Sequence, residues 1–279
     1  MAVETSPQSP VSPYAALFRG YIQRSLQATL QIVQQAGDVL PAEDGEQALH
    51  SLGYAFGLPE AWPTTSQLLA ALAPKLEQAG YREEWLAWLE RGLQECLRYE
   101  DSLTEAELRF NLGVLYQLQG KLDEAGNQFA ASAAQAAALG RPLDQARALN
   151  RRGYVARLQS RLAEAQELAA AALALLPEQE VERGYSYFVQ ASVAFDQRAW
   201  PEAVRLYRLA LGLWQASANQ RMKAWSLTNL ATALRAQGEH EEARRCLEQA
   251  LDLFEQIGDP VHQATARMNL GNVHLSSGR

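Results

Sequence analysis

The chain has 279 residues, of which 48% are hydrophobic and 20% charged, with a formal net charge of −7. That length allows one large or two ordinary domains with a buried core, and the mixed charge speaks against wholesale disorder. The acidic balance speaks against nucleic acid as a partner, because phosphate binding wants a basic surface. Ala, Leu, Gln and Glu dominate and no hairpin signal is present, which leaves an all-α fold.

In chain order, the opening MAVETSPQSPVSP lacks the basic start and apolar run of a signal peptide. Residues 1–11 read as a flexible tail. Residues 12–35 and 44–57 read as two helices, separated by Gly37-Asp38 and a loop around Pro41. They carry no internal repeat, so residues 12–64 are expected to form an N-terminal helical cap. Residues 68–100 follow with Gly80 at a turn and a helix-spaced apolar set, Trp85, Leu86, Trp88, Leu89, Leu93 and Leu97.

From there two ladders of small residues run to the end. Gly113, Gly153, Ala191, Ala231 and Gly271 are spaced by 40, 38, 40 and 40 residues, and Ala125, Ala165, Ala203 and Ala243 by 40, 38 and 40. A fixed period of this length marks an array of supersecondary units that bury their apolar faces against one another. An acid precedes each Ala of the second ladder (Glu124, Glu164, Glu202, Glu242), where negative charge suits a helix N-terminus. Gly120 and Gly238 occupy the turn before it, where a left-handed backbone suits glycine.

Within this frame Leu112-Gly113, Tyr116, Ala125 and Phe129 follow the pattern Leu-Gly-x-x-Tyr, then Ala-x-x-x-Phe. Tyr207, Leu230-Ala231, Leu247 and Leu270-Gly271 repeat parts of it. The chain therefore resembles the tetratricopeptide-repeat family, with a period nearer to the kinesin-light-chain and bacterial sensor-type repeats than to the family's usual length of about 34. The resemblance implies a right-handed α-solenoid of antiparallel helix pairs, A and B, over residues 65–279: one degenerate repeat, four repeats, and helix A of a fifth. Departures are Trp85 for a small Ala, Arg152 for Leu, and Arg198 near a turn in place of Gly. The last stretch, MNLGNVHLSSGR, reads as a helix A without its helix B. The expectations it raises are a cut from a longer array, which is favoured, a cap, or end-to-end self-association through this helix.

The resemblance also implies a concave face lined by helix A, with a protein or peptide partner in its groove. On that face the residues expected to meet the partner are Asn111; Arg147, Asn150, Arg151, Tyr154 and Arg157; Tyr185, Phe188 and Ser192; Trp225, Asn229 and Thr232; and Asn269. Recurring Asn can pair with both the N–H and C=O of an extended peptide. Clustered arginines attract an acidic segment. A tolerated polar residue and a solvated charged face remain the alternatives. The Lys and Asn clamp of chaperone-binding relatives is not matched, since Phe110 and Val114 stand at its positions.

Chemistry is not indicated. The four histidines lie in different segments, no phosphate-loop, zinc or nucleophile-elbow motif occurs, and Cys96 and Cys246 sit in helical apolar patterns. The reading is a soluble cytoplasmic protein, no enzyme, with no cofactor and no membrane span, the longest apolar run being Leu168 to Leu176. Three roles stay open: an interaction scaffold binding an extended, acidic segment; a sensor arm of a larger STAND-type signalling ATPase; and a tetratricopeptide regulator that binds a peptide signal.

Overall fold

A computed structural model describes residues 13–36, 40–79, 82–215, 217 and 219–277. The expected tail at 1–11, the Gly37-Asp38 loop, Gly80 and Gly278 lie outside these residues. The described residues form thirteen α-helices and one short 3-10 turn, with no strand. The chain divides into two compact units, Met1–Leu115 and Tyr116–Arg279.

The first unit holds α1 (Pro13–Gln35), α2 (Ala42–Ala55), the 3-10 turn Pro59–Ala61, α3 (Trp62–Ala79), α4 (Arg82–Arg98) and most of α5 (Ser102–Leu118). The packing of α1 on α2 and α3 follows from their apolar stripes. Leu26, Leu30 and Val33 of α1, Leu49 and Leu52 of α2, and Leu68 and Leu72 of α3 are all buried where these helices pack. Asp101 ends the loop before α5. One carboxylate oxygen accepts from the Thr104 amide at 3.0 Å, capping the helix, and the other from Trp62 Nε1 at 3.0 Å. On α4, Trp85 and Leu89 are buried as their spacing predicts, but Leu97 is largely exposed and Cys96 takes the interior place beside it. The core-facing stripe of this helix thus ends one residue earlier in phase than the Leu pattern suggests. Burial pushes the Cys96 thiol up to about 12, so it is a packing group, protonated at neutral pH.

The second unit holds α6 (Leu122–Ala138), α7 (Pro142–Leu158), α8 (Leu162–Leu175), α9 (Arg183–Asp196), α10 (Trp200–Gln215), α11 (Gln220–Gln237), α12 (His240–Gln256) and α13 (Pro260–Ser276). Odd-numbered helices are the A helices and even-numbered ones the B helices. Four A-to-B turns share one geometry. The amides of Lys121, Arg161, Ala199 and Glu239 donate to the carbonyls of Tyr116, Ala156, Ala194 and Leu234 at 2.8–2.9 Å, the long-range bond of a Schellman ending. Just before each amide stands a left-handed residue: Gly120, Ser160, Arg198 and Gly238, with φ of 75, 62, 61 and 88°. Glycine is the cheapest residue there, yet Ser160 and Arg198 adopt the same conformation. The two-residue shortening of the third repeat therefore falls outside this turn.

Small residues let the helices approach. Ala125, Ala165, Ala203 and Ala243 are all fully buried. A Cβ added at Gly153 would stand 3.3 Å from the Ala165 carbonyl oxygen and 3.5 Å from Val189, so α7 touches both α8 and α9 there. Successive A helices also touch one another: α7 meets α9, α9 meets α11, and α11 meets α13. They form the continuous layer that carries the candidate site. Arg152, at the family's Leu position, turns outward and its guanidinium donates to Glu164 Oε1 at 3.0 Å.

Candidate functional site

The A-helix layer of the second unit sorts the expected contact residues into three groups. Some are enclosed. Asn150 is fully buried between α7 and the start of α9, where its Nδ2 donates to Glu182 Oε1 at 2.8 Å and its Oδ1 accepts from Ser186 Oγ at 2.8 Å. Ser192 is buried too. Its hydroxyl donates to the Phe188 carbonyl and lies 3.0 Å from the Tyr207 hydroxyl. Phe188 and Tyr185 are buried members of the aromatic core, with Phe188 ringed by Tyr154, Tyr185, Tyr207 and Trp214 at centroid distances of 5.6–6.2 Å. These four residues, expected on an open face, are enclosed instead: Asn150, Tyr185 and Phe188 join α7 to α9, and Ser192 joins α9 to α10.

A second group is committed to neighbours on the surface. Arg157 donates through Nε and Nη2 to both carboxylate oxygens of Asp196, at 2.6 and 2.9 Å. Burial works against its charge and Asp196 holds it. Arg147 leans on Asp144 at 3.5 Å. Thr232 donates to the Thr228 carbonyl one turn back, as Thr228 does to Ala224. The three arginines expected to share a face are thus not equivalent, since two already have carboxylates.

The third group still reaches the open face. Arg151 lies over the Tyr185 ring, its Cζ 4.8 Å from the centroid, and forms no ion pair among the described residues. Close enough to feel its charge, Glu182 is half-buried. That burial raises its carboxyl, against the Asn150 hydrogen bond and the positive charges of Arg151 and Arg147. Asn229 is half-buried, and one amide hydrogen is used on the Trp225 carbonyl at 2.8 Å, which leaves its oxygen and second hydrogen. Asn269, one repeat later on α13, is half-buried in the same recess. Asn111 belongs to α5 in the first unit, where its Nδ2 donates to the Glu107 carbonyl at 2.9 Å.

Of these, Asn229 and Asn269 border a recess of about 180 Å³ in the second unit. Tyr154, Phe188 and Trp225 line it from three successive A helices, Thr228 and Asn229 add to the share of α11, and Thr265 and Asn269 line it from a fourth, α13. Phe254 and His262 close it. The His262 ring stacks on Phe254 at 5.7 Å and lies 4.9 Å from Trp225, and its Nδ1 is 2.8 Å from Asp259 Oδ2. Asp259 also caps α13, accepting from the His262 amide at 3.2 Å. Sequence reasoning did not single out Phe254 or His262. A signal was present: Asp259-Pro260 is an N-cap followed by a first-turn proline, which fixes His262 one turn into α13 beside the end of α12.

Among the described residues, no group of three or more His, Cys, Asp or Glu side chains is placed to hold a metal ion, and no helix is long and apolar enough to cross a membrane.

The sequence matches tetratricopeptide-repeat families over residues 106–131, 182–256 and 223–279. No curated protein matches it in sequence. Solved structures show the fold. BtubC (BKLC) from P. vanneervenii is 16% identical, with a TM-score of 0.59 over 85% of this chain and 92% of that one. The apo form of RapI is 14% identical, with a TM-score of 0.60 over 92% of this chain and 72% of that one. The tetratricopeptide-like repeats of a kinesin light chain from Podosopora anserina are 20% identical, with a TM-score of 0.51 over 69% of this chain and 97% of that one.

Proposed function

We propose that this chain, a tetratricopeptide-repeat protein, is an interaction scaffold that takes an extended, acidic peptide segment along the A-helix layer of its second unit. The observation that carries the reading is the conjunction of an aromatic recess, two amides 40 residues apart beside it, and one arginine without an ion pair. Aromatic and arginine side chains supply most binding energy at protein interfaces. A half-used amide can still pair with a main-chain N–H or C=O. Arg151 is a local cation on an acidic protein, so it favours a carboxylate over a basic partner.

The contact set proposed is Arg151, Tyr154, Trp225, Asn229 and Asn269. A peptide array probed with the full chain should retain acidic extended peptides. Arg151→Glu should remove the preference for acidic peptides, and Asn229→Ala should weaken binding about tenfold, the worth of one or two hydrogen bonds. Binding unchanged by both substitutions would remove this face from the function.

A further inference from the structure

The recess and Arg151 are joined by adjoining rings. Arg151 Cζ is 4.8 Å from the Tyr185 centroid, Tyr185 is 6.0 Å from Phe188, and Phe188 is a wall of the recess. Tyr185 and Phe188 are buried, and the groups around them fix their places. Phe188 is held by Tyr207 and Trp214. Arg151 is held from below by the Tyr185 ring, with Glu182 as the nearby countercharge. Both ends of this track are therefore set before any ligand arrives, which lowers the ordering cost of binding.

The two ends want different chemistry. A recess of about 180 Å³ between Tyr154, Phe188 and Trp225 is large enough for one bulky side chain and too small for a length of main chain. Aromatic rings form much of its wall, so the side chain that gains most there is apolar. The guanidinium end takes a carboxylate, which it can hold through two parallel N–H donors.

Resting on the groove reading above, we infer that the groove reads a two-point signature in its peptide: a bulky apolar residue (Leu, Ile, Met or Phe) seated in the recess, and an Asp or Glu at Arg151. The two ring steps between the ends correspond to roughly three residues of extended chain, at about 3.3 Å per residue. Asn229 and Asn269 flank the seated residue and grip its main chain. The signature makes the groove selective for sequence as well as for charge.

The test uses ten-residue Gly/Ser peptides, fluorescein-labelled at the N-terminus, titrated into the full chain and followed by fluorescence anisotropy. One peptide carries Leu and Glu three residues apart, two carry one of them alone, and one carries neither. A further set moves the Glu from one to six residues away. The expected result is binding of the two-point peptide at least tenfold tighter than of either single-feature peptide, with an optimum at a separation of two to four. Thr265→Trp fills the recess from an exposed position on α13. It should erase the advantage given by Leu and leave that given by Glu. Arg151→Glu should do the reverse.

Circular dichroism of each variant separates a lost site from a lost fold. Leu-only and Glu-only peptides that bind as well as the two-point peptide, or an affinity indifferent to separation, would overturn the signature. In that case, weakening by Asn229→Ala would leave the groove reading standing. If no acidic peptide of any pattern binds, the groove reading falls and the signature with it.

Discussion

The helix pairs α7–α8 and α9–α10 share a backbone plan and fill it in opposite ways. Both turn through a left-handed residue that is not glycine, Ser160 in one and Arg198 in the other, and both close with the same 2.8 Å amide-to-carbonyl bond. Yet α8 buries only Ala165, Ala169 and Ala172, while α10 buries Val204, Leu206, Tyr207, Leu211 and Trp214. Where side chains are small, the backbones themselves make the contact, as at Gly153. Where they are large, room is made elsewhere, and Gly184 at the start of α9 is bare because Trp214 lies over it. The repeat is thus specified by its turns and by matched volumes. Once volume is matched the filling is free, which let one pair become an aromatic core and the other supply the polar, arginine-bearing edge of the groove.

The comparison can be broken most directly at Trp214. Trp214→Ala should destabilise the chain by about 3–5 kcal/mol, the usual cost of emptying a large aromatic site. Ala172→Gly in the small-residue pair should cost only about 1–2 kcal/mol, through helix propensity and one lost methyl. Urea unfolding of the two variants measures both. Similar costs would mean that the aromatic pair does not lean on its filling.

Adding volume should sharpen the contrast. A Cβ at Gly184 would stand 2.6 Å from Trp214 Nε1, whereas at Gly153 its nearest neighbour would be 3.3 Å away. Gly184→Ala is expected to cost about 1–3 kcal/mol by overpacking. Gly153→Ala should cost less, because a few tenths of an ångström of relaxation suffices and alanine favours the helix. Thermal melts of the pair test the order, and a milder Gly184→Ala would contradict it.

Polar links between and within the two pairs come next. Asn150→Ala strips Glu182 and Ser186 of a buried partner at once, for an expected loss of about 1–3 kcal/mol. Ser192→Ala removes one bond to Tyr207 within the aromatic pair, for about 0.5–1.5 kcal/mol. Denaturation at fixed pH ranks them.

The smallest expected effect is alkaline. Burial pushes the Tyr185 hydroxyl from its ordinary 10.0 up to about 12, and that of Tyr207 further in the same direction. A raised pKa means the folded state holds the proton more tightly. The stability it contributes is therefore intact below about pH 10 and declines as pH rises towards 12. Tyr185→Phe should flatten that decline, measured as melting temperature between pH 9 and 11, and an unchanged slope would show that Tyr185 is not its source.

Much of this was legible before any coordinates. The 40, 38, 40 spacing of small residues located the close approaches, and the acids before each Ala located the B-helix starts. Two things were hidden for physical reasons. A turn read by residue type alone makes Arg198 look like a break, whereas its conformation is imposed by the bond that closes around it. Asn150 looks like a groove residue of α7 until the segment before α9 brings Glu182 to it, which converts it from a ligand contact into a buried tie. Position within a repeat fixes the face of a helix, but the neighbouring helix decides whether that face is open.

The Arg157–Asp196 pair has a mechanical meaning. It fastens α7 to α9 with two parallel bonds, and its side chains are partly exposed, at 22% and 30%. Ions reach such a fastener, and at physiological salt charges are screened over about 8 Å. Stiffness between these two leaves of the stack should therefore soften as ionic strength rises, while the apolar contacts beside them hold. The array behaves at this joint like a spring with an adjustable clip.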